Sequence, residues 1–483
     1  MSKSDLSFVR TEMLPEQAPP VTEQGVVKWL RENLFAGPIN TVMTLISLVV
    51  IYKILVGITP WLANGVWTTS SLAECREVLQ GQTGGCFSVL TERWNQLLFG
   101  FKYPVEEYWR PTLAFVLLMV AITPVLFQEL PRLFVAAAAV IATVVLVELL
   151  AGAAGLAVPT VVVGGLGYWV LARFGAAQGW GSMAVSRKLL LVTGLFPFVG
   201  YWLIWGGTVL APLVALVGVL AGYMAFRRFE AASFAMGFLA ALVAALVVWY
   251  LGGFVTAAAQ DALALPEVPS RDMGGFMLNM MLGTVCVSLS LPIGIVLALG
   301  RQSDMPIIKW ICVVFIEFIR GVPLITLLFV ANVVLAYFLP PGTNFDLILR
   351  VIIMITMFSS AYIAEVIRGG LAALPTGQYE AADSLGLDYA QSMRLIILPQ
   401  ALKISIPGIV NVAVGLFKDT TLVSVISMFD LVGMIRGPIL ASTEWNGVYW
   451  ELWGFAVVLF FVVCYGISQY SQWLERQLQR DHR

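Results

Sequence analysis

The chain has 483 residues, of which 59% are hydrophobic and 12% charged, about half the share of charge in a soluble domain. That composition excludes a soluble globular protein and defines a polytopic membrane protein. A formal net charge of −1, with no basic block, excludes a nucleic-acid partner. The only histidine is His482, which leaves almost nothing for histidine-based acid–base chemistry or zinc ligation. No catalytic set and no metal site is therefore expected, and no G-x-x-x-x-G-K-[ST] is present to bind ATP.

In chain order, residues 1–38 read as a polar arm. It carries Pro15, Pro19 and Pro20 and lacks the short apolar run of a signal peptide. A spanning helix needs about 20 mostly apolar residues. Windows of that kind lie near 40–61, 111–129, 133–152, 157–173, 189–206, 207–226, 232–255, 276–299, 321–339, 349–368, 405–426 and 451–473, which makes twelve. Lys53 falls inside the first and is expected to snorkel to the interface.

The loop 62–110, with Trp67, Trp94 and Trp109, is expected outside the cytoplasm. Cys75 and Cys86 share it, and either a disulfide or two free thiols is open to them. Cys286, Cys312 and Cys464 lie in apolar segments and read as small buried hydrophobes. Arg132, the group Arg173, Arg187 and Lys188, the pair Arg227 and Arg228, and then Arg301 and Lys309 all fall on the side of Lys3, Arg10, Lys28 and Arg31. The C-terminal Arg476, Arg480 and Arg483 agree. Because basic loops stay in the cytoplasm, both termini are expected there, as an even number of spans requires.

The spans before residue 255 are rich in Ala, Val, Leu and Gly. A linker, 256–273, carries Pro266, Pro269 and three acidic residues. After it, Glu317, Arg320, Glu365, Arg368, Lys418 and Asp419 lie in or at the ends of apolar helices. A charge at mid-depth there costs at least about 2.5–3.5 kcal/mol, which places function in the second half.

The loop 376–400 is built from local signals. Glu380 to Leu385 is helix-forming, Gly386 supplies a turn with φ > 0, and Asp388 caps a second helix running through Met393, Leu395 and Ile396 to an expected stop at Pro399. Ala381 and Ala382 would offer a small-residue contact surface on this knob, which suits a cleft in another protein.

The run Glu380-Ala381-Ala382, then Gly386, then Ile396 and Leu398-Pro399 resembles the EAA loop of bacterial ABC importer permeases, which docks on the nucleotide-binding subunit. Glu317 to Leu324, Ala361 to Gly370 and Lys418-Asp419-Thr420-Thr421-Leu422 look like the polar amino-acid permeases of that superfamily. The resemblance covers about residues 274–475, the five-helix permease core, with 476–483 as a tail. The region 39–255, with about seven helices, departs from the minimal pattern and is similar in layout to the general L-amino-acid permeases, M type.

The resemblance implies an all-α membrane fold and a permease subunit of an ATP-binding-cassette importer for L-amino acids, in a bacterial inner membrane. It implies no cofactor in this chain, since ATP would be bound by the partner. The implied partners are an ATP-binding subunit dimer, a second permease subunit, a periplasmic amino-acid-binding protein and membrane lipid. ATPase coupling would run through Glu380, Ala381, Ala382, Gly386, Leu398 and Pro399.

A free amino acid is a zwitterion, and Lys418 and Asp419 offer one charge of each sign, followed by the hydroxyls of Thr420, Thr421 and Ser424. Adjacent helical residues point about 100° apart, so the two charges must face different partners. Glu365 is a further candidate ligand, although Arg368 lies on its own face and could pair with it, as Arg320 could with Glu317. The substrate-binding set read from the sequence is Lys418, Asp419, Glu365, Thr421 and Ser424. An ion-coupled secondary amino-acid transporter is the alternative, but its halves should be related repeats, and these halves differ in span number and polarity.

Overall fold

The computed structural model describes residues 25–127, 190–230, 234–259, 264–334 and 346–480, with a few positions between 129 and 184. The spans expected near 133–152 and 157–173, and most of the N-terminal arm, lie outside the described residues. The chain divides into two compact units, residues 1–69 with 73–87, and residues 70–72 with 88–483.

In the first unit a short helix, Gly25–Asn33, precedes the spanning helix Pro38–Ala63. Pro38 starts that helix without loss, because the first helical N–H groups have no partner within the helix. No residue of it is buried, as befits an apolar rod whose solvent is lipid. Cys75 and Cys86, both buried, form a disulfide, and the ring of Phe87, next in the chain, packs against Trp61 and Trp67.

The second unit holds the remaining spans. Among the described residues eight helices are long and apolar enough to cross a membrane, and nine if one bent pair counts as a span. Leu190–Trp205, expected to span, has only 16 residues, with Pro197 inside it. Leu210–Phe229 and Phe234–Ala258 follow, the latter running three residues into the expected linker. A short antiparallel ribbon, Glu129–Pro131 with Ser182–Ala184, is the one pair of strands among the described residues of an otherwise helical fold. Three-residue strands leave no alternation in sequence by which to find them.

Arg110 organises this region. It is fully buried, donating from Nε to the Leu203 carbonyl at 2.7 Å and from Nη1 to the Pro266 carbonyl at 2.8 Å, with Glu107 3.5 Å away. The linker is held further by paired backbone bonds between Gly207 and Leu265 and by the Trp205 indole donating to Ser270 at 2.9 Å.

The core comprises Gly275–Gln302, Pro306–Gly321, the helix that starts at Leu324, Leu347–Ala372, a helical run from Tyr389 to Ile426, and Tyr449–Arg480. The span expected at 321–339 instead begins after a 102° break, and the amphipathic helix Pro306–Gly321 before it is a separate element. The break follows from Pro323. It has no N–H to continue a helix, and it forces Val322 into extended backbone at φ −107°, ψ 131°.

The stop expected at Pro399 is not there. The helix Tyr389–Ser392 passes through one π turn, Met393–Ile397, into Leu398–Asp419, and Pro399 sits in the first turn of that last segment, where its missing N–H costs little. Small residues set the helix contacts. A Cβ on Gly370 would meet the Ala401 carbonyl at 2.6 Å, so Leu347–Ala372 and Leu398–Asp419 approach backbone to backbone. The C-terminal end of Leu347–Ala372, where Leu398–Asp419 begins, is sealed by Ile367, Leu371, Leu374, Met393 and Ile397 in one buried cluster.

Candidate functional site: a mid-helix cavity, an ion cluster and a capped knob

The knob at 376–400 is assembled from two complete capping motifs. Gly377–Ser384 ends with Gly386 at φ +70°, the Gly386 N–H donating to the Asp383 carbonyl at 2.9 Å and the Leu387 N–H to the Ala382 carbonyl at 3.3 Å. That pair of bonds satisfies carbonyls the helix leaves open, and the left-handed residue that makes it possible is the glycine. Asp388 then accepts from the Gln391 N–H at 2.7 Å while Gln391 accepts from the Asp388 N–H, a reciprocal box at the next N-terminus.

The two alanines expected to form one contact surface are divided. Ala382 is fully buried and Ala381 is exposed. The exposed apolar groups are Leu385, Tyr389 and Leu395, with Glu380, Asp383, Asp388 and Arg394 around them. The knob is anchored at its base by Met393 and Ile397 in the buried cluster and by Gln400 donating to Gln378 at 2.9 Å.

Midway along Leu347–Ala372 a cavity of about 240 Å³ opens toward Leu398–Asp419, lined by Phe358, Ser359, Tyr362, Val412, Gly415, Leu416 and Asp419. Asp419 is half-buried on its wall. The Ser359 hydroxyl is buried and has no hydrogen-bond partner among the described residues, and such an orphan costs free energy unless a ligand or water completes it.

Lys418 is exposed on another face, so the two neighbouring charges diverge as helical geometry requires. Thr421 donates to the Lys418 carbonyl at 2.8 Å and Ser424 to the Thr421 carbonyl at 2.9 Å. Both hydroxyls thus tie down the 3₁₀ turn that follows the helix, and neither lines the cavity. Thr420 is fully buried.

Glu365 is not on the cavity wall. It lies one helical turn beyond Tyr362, at the centre of an ion cluster drawn from three helices. Arg301 reaches it at 2.9 Å, Arg368 at 3.1 Å and Arg320 at 3.6 Å. Arg301 also pairs with Glu317 at 2.8 Å, so Glu317 bonds across to another helix and Arg320 turns inward. The Arg320 guanidinium stacks 5.6 Å from the Tyr362 ring centre. Arg301 and Arg320 were legible in the sequence as charges, but which carboxylate each meets was not.

The opposite end of the core holds a polar knot centred on Asp430 and Asn279. Asp430, fully buried, accepts from Gly433 N–H at 2.9 Å, from Val432 N–H at 3.3 Å and from Asn279 Nδ2 at 3.1 Å. Asn279 also donates to the Thr420 hydroxyl at 2.9 Å and accepts from Leu431 N–H at 3.1 Å. Asp430 lies between the last two spans, and burial pushes its carboxyl up to about 6 despite these donors. Two signals could have found it. An aspartate stands before Leu-Val-Gly-Met in the N-cap position, and Asn279 is a lone amide in an apolar helix, where it must find partners.

A cavity at mid-helix, charge stacked below it and an exposed knob at the same end make this a membrane permease. The family model for "Binding-protein-dependent transport system inner membrane component" matches residues 290–478. The chain is 46% identical to the glutamate/glutamine/aspartate/asparagine transport system permease protein BztC of Rhodobacter capsulatus, over 99% of this chain and 100% of that protein. It is 31% identical to the inner membrane amino-acid ABC transporter permease protein YhdY of Escherichia coli K12, over 93% of this chain and 92% of the relative. The probable glutamine ABC transporter permease protein GlnP of Bacillus subtilis is 31% identical, with 42% of this chain covering 90% of its length. The chain belongs to the permeases of bacterial amino-acid ABC transporters.

Proposed function

We propose that this permease imports acidic amino acids and their amides across the bacterial inner membrane, with both termini in the cytoplasm. A binding protein delivers substrate outside, and a pair of ATP-binding subunits drives transport from the cytoplasm, ATP being bound by them and not by this chain. A second permease subunit, identical or related, completes the path. The substrate class is taken from the relative that matches over the full chain.

The observation that carries the local reading is the cavity, where a half-buried carboxylate, Asp419, and an unpartnered hydroxyl, Ser359, share one wall. Asp419 is suited to a substrate ammonium and Ser359 to a substrate carboxylate oxygen. At about 240 Å³ the cavity falls below drug-sized pockets of about 300–1,000 Å³ and suits a small metabolite. Lys418, on its diverging face, stands as the cation toward a side-chain carboxylate or toward the second permease, with Thr421 and Ser424 fixing the turn that carries it. The exposed Leu385, Tyr389 and Leu395 on a base fixed to the core support docking of an ATP-binding subunit, whose motion would reach Leu347–Ala372 through the buried cluster.

The test is reconstitution in vesicles with the binding protein and ATP-binding subunits. Uptake of labelled glutamate, glutamine, aspartate and asparagine should require internal ATP and survive collapse of ion gradients. Uptake that follows an ion gradient without ATP would sink the reading. Asp419→Asn should raise the half-saturating substrate concentration by about tenfold or more, the loss of one charge-assisted bond.

A further inference from the structure

The ion cluster below the cavity is not balanced. Among the described residues three guanidinium groups, Arg301, Arg320 and Arg368, meet two carboxylates, Glu317 and Glu365, which leaves one positive charge in excess. The excess is not shared evenly. Arg301 holds both carboxylates at 2.8 and 2.9 Å, and Arg368 hydrogen-bonds Glu365 at 3.1 and 3.2 Å. Arg320 stands 3.6 Å off, beyond hydrogen-bond length, and its buried Nε has no partner among the described residues. The side chain is 34% exposed, so the open donor can be reached, and an open guanidinium donor suits an anion.

Its position gives the anion a source. Arg320 stacks on the ring of Tyr362, and Tyr362 lines the cavity with Asp419 and Ser359. Tyr362 therefore borders both the cavity and the unsatisfied cation. Glu365 follows Tyr362 by about 4.5 Å of helix, toward the end that carries Arg301 and the knob.

We propose that Arg320 is a second, exit-side binding residue, which receives the carboxylate of an amino acid leaving the cavity toward the cytoplasm, with Tyr362 as the movable partition between the two. Glu365 competes for the same guanidinium and so keeps this hold weak enough to release. The proposal rests on the transport reading above and deepens it. It assigns to the cluster a ligand, an amino-acid carboxylate arriving from either side.

A site open to the cytoplasm must also fill from the cytoplasm, and that is the test. The reconstituted transporter is given labelled glutamate outside and increasing unlabelled glutamate inside, with assembly of each variant checked by co-purification of the ATP-binding subunit. In the wild-type protein internal glutamate should slow uptake. Arg320→Gln should need about tenfold more internal glutamate for the same inhibition, the loss of one charge-assisted bond, and Arg320→Lys should recover part of it. Glu365→Gln should shift inhibition the other way, to lower internal concentration, because it removes the competitor.

Opposite signs for the Arg320 and Glu365 variants would establish the site. A cluster that only holds helices together predicts losses in the same direction, with impaired assembly, and that result would overturn the proposal. So would wild-type uptake indifferent to internal glutamate. Absence of ATP-dependent uptake in the wild type is a separate outcome. It refutes the transport reading itself, and the exit site with it.

Discussion

Gly386 offers the cleanest perturbation in the molecule, because its backbone sits at φ +70° while a Cβ placed on it would meet nothing within 4 Å. Packing therefore contributes no penalty, and the whole effect of a substitution is conformational. Alanine in the left-handed region costs about 1–2 kcal/mol, a factor of roughly 5–30 in the population of the closed turn. Valine costs more, since a β-branched residue at positive φ is a genuine outlier.

The two bonds that close the turn, from Gly386 to Asp383 and from Leu387 to Ala382, open together when it flattens, and Leu385 and Tyr389 then lose their mutual placement. If the knob docks as a preformed body, affinity for the ATP-binding subunit should fall by the same factor. The series to measure is Gly386→Asn, Gly386→Ala and Gly386→Val, by titrating purified ATP-binding subunit onto permease in lipid discs. Asparagine tolerates this backbone and should stay within a few-fold of wild type, alanine should weaken binding about 5–30-fold, and valine further. Thermal stability of the spanning helices should not move. Equal affinity for the glycine and alanine forms, or equal loss for asparagine and alanine, would refute a preformed turn.

Other consequences are equally open to measurement. Asp430 has its folded value raised to about 6 from an ordinary 3.8, so its contribution to stability is full below about 4 and lost as pH rises toward 6. The span is worth on the order of 3 kcal/mol, and Asp430→Asn should flatten the thermal-stability profile between those limits relative to wild type. Asn279→Leu removes the amide that serves Thr420, Asp430 and the Leu431 N–H at once, and should cost about 2–4 kcal/mol in unfolding of the purified protein, well above a typical surface change. Gly370→Ala places a methyl 2.6 Å from the Ala401 carbonyl and should destabilise by about 1–3 kcal/mol through separation of two helices, read as a lowered unfolding temperature. Replacing Cys75 and Cys86 by alanine opens a loop with a sequence separation of 11 and should cost that loop about 3 kcal/mol, seen as faster proteolysis between 64 and 87.

What the sequence made legible were the features written in local chemistry. Gly386 and Asp388 announce a helix end and a helix start within three residues, and both are found. The kink at Arg320-Gly321-Val322-Pro323 is likewise a property of one proline. Pro399 misled because the residue that ends one helix is also the residue best tolerated in the first turn of another, and only the π turn before it decides between them. The helix Pro306–Gly321 is masked in the sequence because Lys309, Glu317 and Arg320 interrupt its apolar run, though its apolar residues keep a helical period.

Pairings across helices were out of reach. Glu365 was read with Arg368, its own neighbour, correctly, but its bonds to Arg301 and Arg320 depend on packing that no window contains. The cavity has the same origin. Asp419 was found as a charge in an apolar helix, whereas Ser359 and Tyr362 become its companions only when Leu347–Ala372 lies against Leu398–Asp419.

The buried guanidinium of Arg110 bears on how the chain is made. Its acceptors lie 93 and 156 residues later, at Leu203 and Pro266. At about 5–20 residues per second of synthesis, the second acceptor emerges roughly 8–30 seconds after the arginine. Until then Glu107, three residues before it, and from residue 203 on the Leu203 carbonyl are the partners that can meet the guanidinium. The early helices are thus completed by a segment translated after them. A chain stalled before residue 266 would hold the guanidinium with one of its two carbonyl acceptors missing.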